Sequence, residues 1–398
     1  MKDKISSIRR EAAARVLPSL PSPLRSRLVD PKYNWSRADL RNVATAPEGD
    51  KRLLIAPANY GVQGHYWARA AETLPGVSAV NMRFVSDNPT MGSPSDFSVR
   101  RNVGQWSHIW GRNQFEAIKD GFTHVLIEAE LPILGGLHEG DLRREIDALQ
   151  NAGIKVATVA HGTDVRLPSK HRELEEFSPF VEGFPHLDAL EKKVRENHKL
   201  LDELGLPEFV STPDLLQFRP NATWLPTVSD SEKWGNLQKP QLEDHKPVVL
   251  HMTSRRPALK GGPHIDAAMR RLEDEGLIEY VAADKIPFAE MPALVERSDI
   301  IINQVAMGLY AMVAIEGMMA GRIVVSQVWD SVRETIRNET GLDVPVVEAN
   351  PDTLYQVVKD IVQNPDQYSH LGPAGQEFAK QVHSKERAAA ALSGFLET

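Results

Sequence analysis

The chain has 398 residues, 41% of them hydrophobic and 25% charged, the balance of a soluble globular protein long enough for two ordinary domains. A formal charge of −8 argues against a nucleic-acid-binding protein, and the lack of cysteine excludes a disulfide framework, a thiolate metal site and a cysteine nucleophile. No apolar run reaches the roughly 18 residues that suggest a membrane span, and the N-terminus lacks the apolar core of a secretory signal, so a cytoplasmic location is expected.

Residues 1–45 form a basic extension. Up to Arg41 it carries ten Lys/Arg against Asp3, Glu11, Asp30 and Asp39. Ile5, Ile8, Ala12, Val16 and Leu17 recur at nearly helical spacing, and Pro18, Pro21 and Pro23 end the pattern. Such a helix either packs on the body with its charges in water or makes a peripheral contact with an anionic membrane or acidic partner.

Residues 46–228 read as a first α/β unit. RLLIAPA from Arg52 is a buried strand, and 59–64 (NYGVQG) a glycine-bearing turn ending at Gly64, with a helix from His65. A strand, loop and helix start together offer free amides to an anion. The dinucleotide fingerprint G-x-G-x-x-G with its ribose acid is absent, which disfavours nicotinamide binding. Strands are expected at 77–84, 123–128 and 154–160, a helix at 139–151, and a polar surface loop at 87–104.

The strand at 154–160 delivers HGTDVR, His161 to Arg166, to the carboxyl edge of the sheet, the functional edge of such folds. Asp164 and Arg166 can fix the histidine ring and hold the loop; the plainer alternative is a structural turn with a capping Asp. There is no G-x-S-x-G elbow, so no hydrolase triad is indicated. A helix at 189–204 and a strand at 208–212 follow, and 229–246 reads as a linker.

The second unit, 247–375, begins with a strand at 247–251 that leads into MTSRRPALKG. Arg255 and Lys260 after that strand suit a diphosphate, whose oxygens take charge-assisted hydrogen bonds; a solvated basic turn is the alternative. Helices are expected at 265–275 and 288–297, with a strand at 277–282 between them. Residues 298–327 then read strand, loop, helix, strand, with Gly308 in the loop and Glu316 alone among Met and Ala on the helix. A carboxylate there needs a partner, which a ligand hydroxyl supplies, unless it is simply a helix-surface acid favoured by the dipole. Further on, a helix at 331–338, a short strand at 344–347, a helix at 352–363 and a helical tail over 374–397 are expected.

Three stretches, HGTDVR, SRRPALKG and GLYAMVAIEGMMAG, resemble the retaining glycosyltransferases with two Rossmann-like domains, the GT-B fold. Glu316 to Val325 follow the second half of that family's nucleotide-sugar loop. Gly308 stands where the family usually has its first Glu, and the text is closer to a branch with a Gln-x-x-x-Gly-x-Tyr loop. The resemblance implies two Rossmann-like domains facing across a cleft, the first for the acceptor and the second for the donor, with residues 376–398 as a helix returning to the first domain.

It also implies site roles. Arg255 and Lys260 would neutralise the leaving diphosphate, and His161 would line the sugar pocket. Glu316 would hold the ribose, and the amides of Gly308, Leu309, Tyr310, Ala311 and Met312 would assist, with Gly64, Asp164 and Ser254 as further donor-side contacts. The glycine loop before Gly64 would sit near the diphosphate. The expected activity is transfer of a sugar, with retention, from a nucleotide-sugar (UDP as the prior) to a glycan or other hydroxyl acceptor. This would serve polysaccharide or cell-envelope synthesis from the cytoplasm, with no cofactor: no D-x-D motif occurs, and no metal is expected. Two other readings are a nucleotide-sugar 2-epimerase and a non-catalytic binding subunit. The departure at Gly308 favours the latter.

Overall fold

The computed structural model describes residues 30, 33–86, 92–238, 245–253 and 257–398. The helix expected near the N-terminus, Ser254 and Arg255 lie outside the described residues.

Two parallel sheets organise the chain. The first contains β1 (Lys51–Ala56), β2 (Val77–Val85), β3 (Phe97–Arg100), β4 (His124–Glu128), β5 (Lys155–Ala160), β6 (Glu208–Val210) and β7 (Thr223–Trp224), in the order β3-β2-β1-β4-β5-β6-β7. The second contains β8 (Val248–Met252), β9 (Glu279–Ala283), β10 (Ile300–Ile302), β11 (Ile323–Ser326) and β12 (Val347–Glu348), in the order β12-β11-β10-β8-β9. Both orders reverse direction beside the first strand of their unit, which opens a crevice at the carboxyl ends there. Helices connect most of the successive parallel strands, so the central strands are apolar on both faces. Leu53, Leu54 and Ile55 of β1 and Val125, Leu126 and Ile127 of β4 are fully buried, each such side chain contributing about 1.5–3 kcal/mol of transfer free energy.

The polar stretch expected as a surface loop contains β3 and the helix Arg101–Trp106. Its composition hid a reciprocal pair: Asn81 N–H donates to Asp96 Oδ2 at 2.8 Å, and Asp96 N–H to Asn81 Oδ1 at 3.0 Å. These bonds tie the stretch to β2 just ahead of the β2–β3 ladder. The expected linker likewise carries a helix, Ser231–Gly235, capped by Asp230 and held by the buried Trp234. The helical tail is two helices, Leu371–Val382 and Lys385–Leu396, because Ser384 starts the second by accepting Arg387 N–H at 3.2 Å.

The last helix crosses back to the first sheet. Ala388, Leu392, Phe395 and Leu396 join Leu53, Ile55 and Trp67 in one apolar cluster. The helix Leu371–Val382 instead packs Phe378 and Val382 into a cluster that holds Met318 and Ile315 of the second unit along with Val210 and Trp224 of the first. The tail thus spans both units.

Candidate active site at the facing sheet edges

Because every strand is parallel, the loops after β1, β4 and β5 share one edge of the first sheet, and those after β8 and β10 share one edge of the second. The two edges meet. Met312, which opens the helix Met312–Met319, has its sulfur 3.1 Å from Gln63 Nε2. A Cβ at Gly61 would come within 3.0 Å of Met312 Cγ, and Gly61 has φ +56°. Both the left-handed backbone and the close approach call for glycine here.

On the first edge the centre is Glu128, the last residue of β4, which the sequence pattern did not single out. It is fully buried. Its carboxylate accepts the amides of Ala58 at 2.9 Å and Asn59 at 2.9–3.0 Å, and lies 3.2 Å from His161 Nε2. Gly64 belongs to this arrangement, since a Cβ there would meet both Glu128 oxygens at 3.2 Å. The anion at these two amides is therefore the chain's own. The only cue in the sequence was an acid closing an apolar strand, a position that reads equally well as a solvated edge.

His161 sits between Tyr60 and Trp67, with ring centroids 5.2 and 5.4 Å away. Asp164 does not touch the imidazole but closes the turn beneath it: Oδ2 accepts His161 N–H at 2.6 Å, and Oδ1 accepts Gly162 N–H. Arg166 pairs with the buried Asp214. The ring is thus held by Glu128 rather than by Asp164 and Arg166, because the turn folds those two side chains underneath it. Glu130 follows Ala129, and both have left-handed φ, +50° and +58°. No donor among the described residues reaches either Glu130 oxygen, and the neighbouring polar group is the Asp164 carboxyl. Burial, and then the charge of Asp164, pushes its pKa well above the usual carboxylate range. Strained backbone of this kind concentrates at functional sites.

On the second edge, Lys260 ends the turn Pro257–Lys260, and its carbonyl accepts Val305 N–H at 3.2 Å. The backbones approach closely, since a Cβ at Gly261 would meet Val305 at 2.6 Å. Burial lowers the Lys260 pKa. Burial first, and then the Lys260 charge, push His251 of β8 down to about 4.

The loop between β10 and the helix Met312–Met319 is almost wholly buried. Gln304 Oε1 accepts the amides of Ala306 at 2.9 Å and Met307 at 2.7 Å, while its Nε2 donates to the carbonyls of Leu309 and Gln327. Asn303 Oδ1 accepts Ala311 N–H at 3.1 Å. Gly308 has φ +71°, and a Cβ on it would lie 2.0 Å from the Trp329 ring. Gly308 thus brings bare backbone against the Trp329 ring. Leu309 packs on Phe180 and Met307. Tyr310 is buried with its hydroxyl 3.1 Å from His383 Nε2, so its side chain serves the core. Ala311 and Met312 start a helix without a side-chain cap; the Ala311 amide is taken by Asn303, and the amides of Met312 and Val313 follow it at the positive end of the helix.

Glu316 lies four residues into that helix. Burial raises its pKa to about 8, against a smaller lowering by the Lys233 charge. Lys233, from the helix between the units, sits 3.3 Å above the centroid of the Phe288 ring. Lys260 and the uncapped helix start therefore come from loops at the second unit's carboxyl edge, with Glu316 a turn further into the helix, and Met312 of that helix start meets Gln63 of the first unit. Among the described residues no group of three His, Asp or Glu side chains comes together to hold a metal ion, and no helix is long and apolar enough to cross a membrane.

No protein-family model matches the sequence, and no curated protein matches it. Solved structures match by shape. A sucrose-phosphate synthase from Thermosynechococcus elongatus has a TM-score of 0.55 and 13% identity, over 87% of this chain and 98% of that one. A glycosyltransferase from Rickettsia africae gives 0.55 and 14%, over 87% and 97%. Anabaena HepE in complex with UDP gives 0.55 and 12%, over 87% and 99%. The chain has the GT-B fold of these glycosyltransferases: two Rossmann-like units with facing carboxyl edges.

Proposed function

We propose that the protein is a glycosyltransferase that moves a sugar from a nucleotide-sugar, a UDP-sugar first, to a hydroxyl of a glycan or similar acceptor, with retention. One observation carries the proposal. Lys260, an uncapped helix start and Glu316 follow one another around the carboxyl edge of the second sheet, a set suited to a diphosphate and the ribose beside it. The GT-B fold and the UDP held by one structural neighbour support the choice of nucleotide.

In this reading residues 46–228 bind the acceptor and 247–375 the donor. Lys260, with Arg255 and Ser254 shortly before it in the sequence, stabilises charge as the bond from the anomeric carbon to the diphosphate oxygen breaks. The electron pair leaves with the diphosphate, the acceptor oxygen bonds to the same face of the sugar, and its proton passes to the departing phosphate. Amides near Met312 assist, Glu316 accepts from the ribose hydroxyls, and His161 lines the sugar pocket. No metal is needed, since fixed cations take its place. The basic N-terminal segment brings the enzyme to an anionic membrane surface on the cytoplasmic side, where envelope glycans are built.

Gly308 supports a second reading, a binding subunit without turnover, because the position lacks the carboxylate that would contact the donor sugar. A thermal-shift screen with UDP, GDP, ADP and uridine, followed by assays of UDP-sugar hydrolysis and transfer, separates the two. UDP binding with turnover supports the transferase, and UDP binding without any turnover supports the subunit. No response to any nucleotide defeats both.

A further inference from the structure

We infer that Glu128 is a positioning residue that keeps the His161 proton on Nε2, so that Nδ1 meets the ligand as a hydrogen-bond acceptor. The first unit's edge is accordingly built for a sugar hydroxyl and not for a phosphate oxygen. The ligand half of this inference rests on the glycosyltransferase reading, whereas the tautomer half stands on geometry alone.

An ionised carboxylate only accepts. Glu128 takes the amides of Ala58 and Asn59, and its Oε1 lies 3.2 Å from His161 Nε2. The ring nitrogen facing it carries the hydrogen, and in a neutral imidazole the other nitrogen is then an acceptor. Among the described residues the ring hydrogen-bonds through Nε2 to Glu128, and the side chain is 10% exposed, which leaves Nδ1 for a ligand.

The rest of the edge fixes this arrangement. Trp67 is fully buried and donates from Nε1 to the Pro226 carbonyl at 2.9 Å, so one face of the imidazole meets a rigid wall. Tyr60, 54% exposed, stands edge-on to the ring from the other side, its centroid 5.2 Å away. The Asp164 carboxylate holds the backbone at His161 and Gly162. Gly64 leaves space for the Glu128 oxygens.

The choice of ligand group follows from polarity. A phosphate oxygen at neutral pH is an acceptor and repels both Nδ1 and the carboxylate behind it, and the two loop amides that would have received it are already taken. A hydroxyl donates to Nδ1 without electrostatic cost. The glycine loop, expected beside the diphosphate, thereby becomes a support for the sugar side of the cleft.

The test uses the full chain labelled with 15N-histidine, with long-range 1H–15N spectra at pH 8 and His161 assigned by its loss in H161Q. The expected wild-type pattern is the Nε2–H tautomer. In E128Q, where the side-chain NH2 can turn toward the ring, that pattern shifts toward the opposite tautomer. A wild-type Nδ1–H pattern, or a ring protonated on both nitrogens at pH 8, overturns the tautomer half, as does a pattern unchanged in a folded E128Q. If E128Q does not fold, the wild-type spectrum alone decides.

For the ligand half, turnover of UDP-glucose, UDP-galactose and UDP-N-acetylglucosamine is compared with UDP affinity. E128Q and H161Q are expected to lose at least tenfold in kcat/KM for whichever donor the wild type uses. UDP Kd stays within twofold, and the double variant is no worse than H161Q. Multiplicative losses in the double variant, or a matching loss of UDP affinity, overturn the assignment. A wild type that binds and turns over no nucleotide-sugar removes the glycosyltransferase reading and the hydroxyl role with it, while the spectra still judge Glu128.

Discussion

Gln327 links the two units through Glu175: its Nε2 donates to Glu175 Oε2 at 2.8 Å, while its Oε1 accepts Gly308 N–H at 3.2 Å. Trp329 Nε1 donates to the same Glu175 oxygen at 2.8 Å, and the Trp329 ring covers Gly308. A buried acid of the first unit thus shapes the loop that leads into the second unit's helix start. The loop is the product of both units.

Removing Glu175 should therefore act on that loop. E175A leaves two buried donors, Gln327 Nε2 and Trp329 Nε1, without an acceptor, and each orphan costs roughly 1–3 kcal/mol. Urea unfolding is expected to show a total loss of about 2–6 kcal/mol, with weaker UDP binding in the fraction that folds. A change under about 0.5 kcal/mol, the ordinary surface-substitution range, would show that the link carries no stability.

G308A places a methyl where the Trp329 ring stands and adds a side chain to a left-handed residue. Overpacking costs about 1–3 kcal/mol and the backbone strain adds roughly 1 kcal/mol or more. Thermal unfolding should report a drop of several degrees, and isothermal titration a loss of UDP affinity. Retained stability would mean that Trp329 swings away freely.

Lys260 should discriminate diphosphate from nucleoside. K260A is expected to weaken UDP at least tenfold, about 1.4 kcal/mol, while uridine binding stays within twofold. Equal losses for both ligands would remove Lys260 from the phosphates.

The pH dependence of stability isolates Glu316. Its pKa in the folded chain is raised to about 8 from an ordinary value of 4.5, chiefly by burial. Between those values the folded state holds a proton that the unfolded state has released. Stability from this group is therefore greatest below about pH 4.5, falls as pH rises toward 8, and levels off above it. Glu145, raised to about 7 by burial, gives a slope of the same sign, so the comparison is between wild type and E316Q. The difference in urea midpoints between the two should change steadily from pH 5.5 to 8 and then flatten. Parallel curves would place Glu316 in a solvated setting.

Much of this was legible from local chemistry. The apolar runs RLLIA, VATVA and DIII predicted strands, and parallel strands oblige the following loops to share an edge. This is why His161, Lys260 and the loop before Glu316 could be expected at sheet edges from chain order alone. The resemblance of three short stretches predicted the GT-B fold, and the shape of the chain agrees.

Tertiary structure decided what those residues touch. Glu128 and His161 are separated by 33 positions, and Glu175 and Gln327 by 152; no periodicity or spacing reports on such pairs. Tyr310 looked like a loop residue beside a ligand, but the tail helices, with His383 between them, drew its ring into the core. Alternation and composition fix which face of an element is buried, because burial of apolar area depends on neighbours along the chain. Whether a buried acid answers an amide, an imidazole or a ligand depends on groups that only the packing of two distant loops brings within 3 Å.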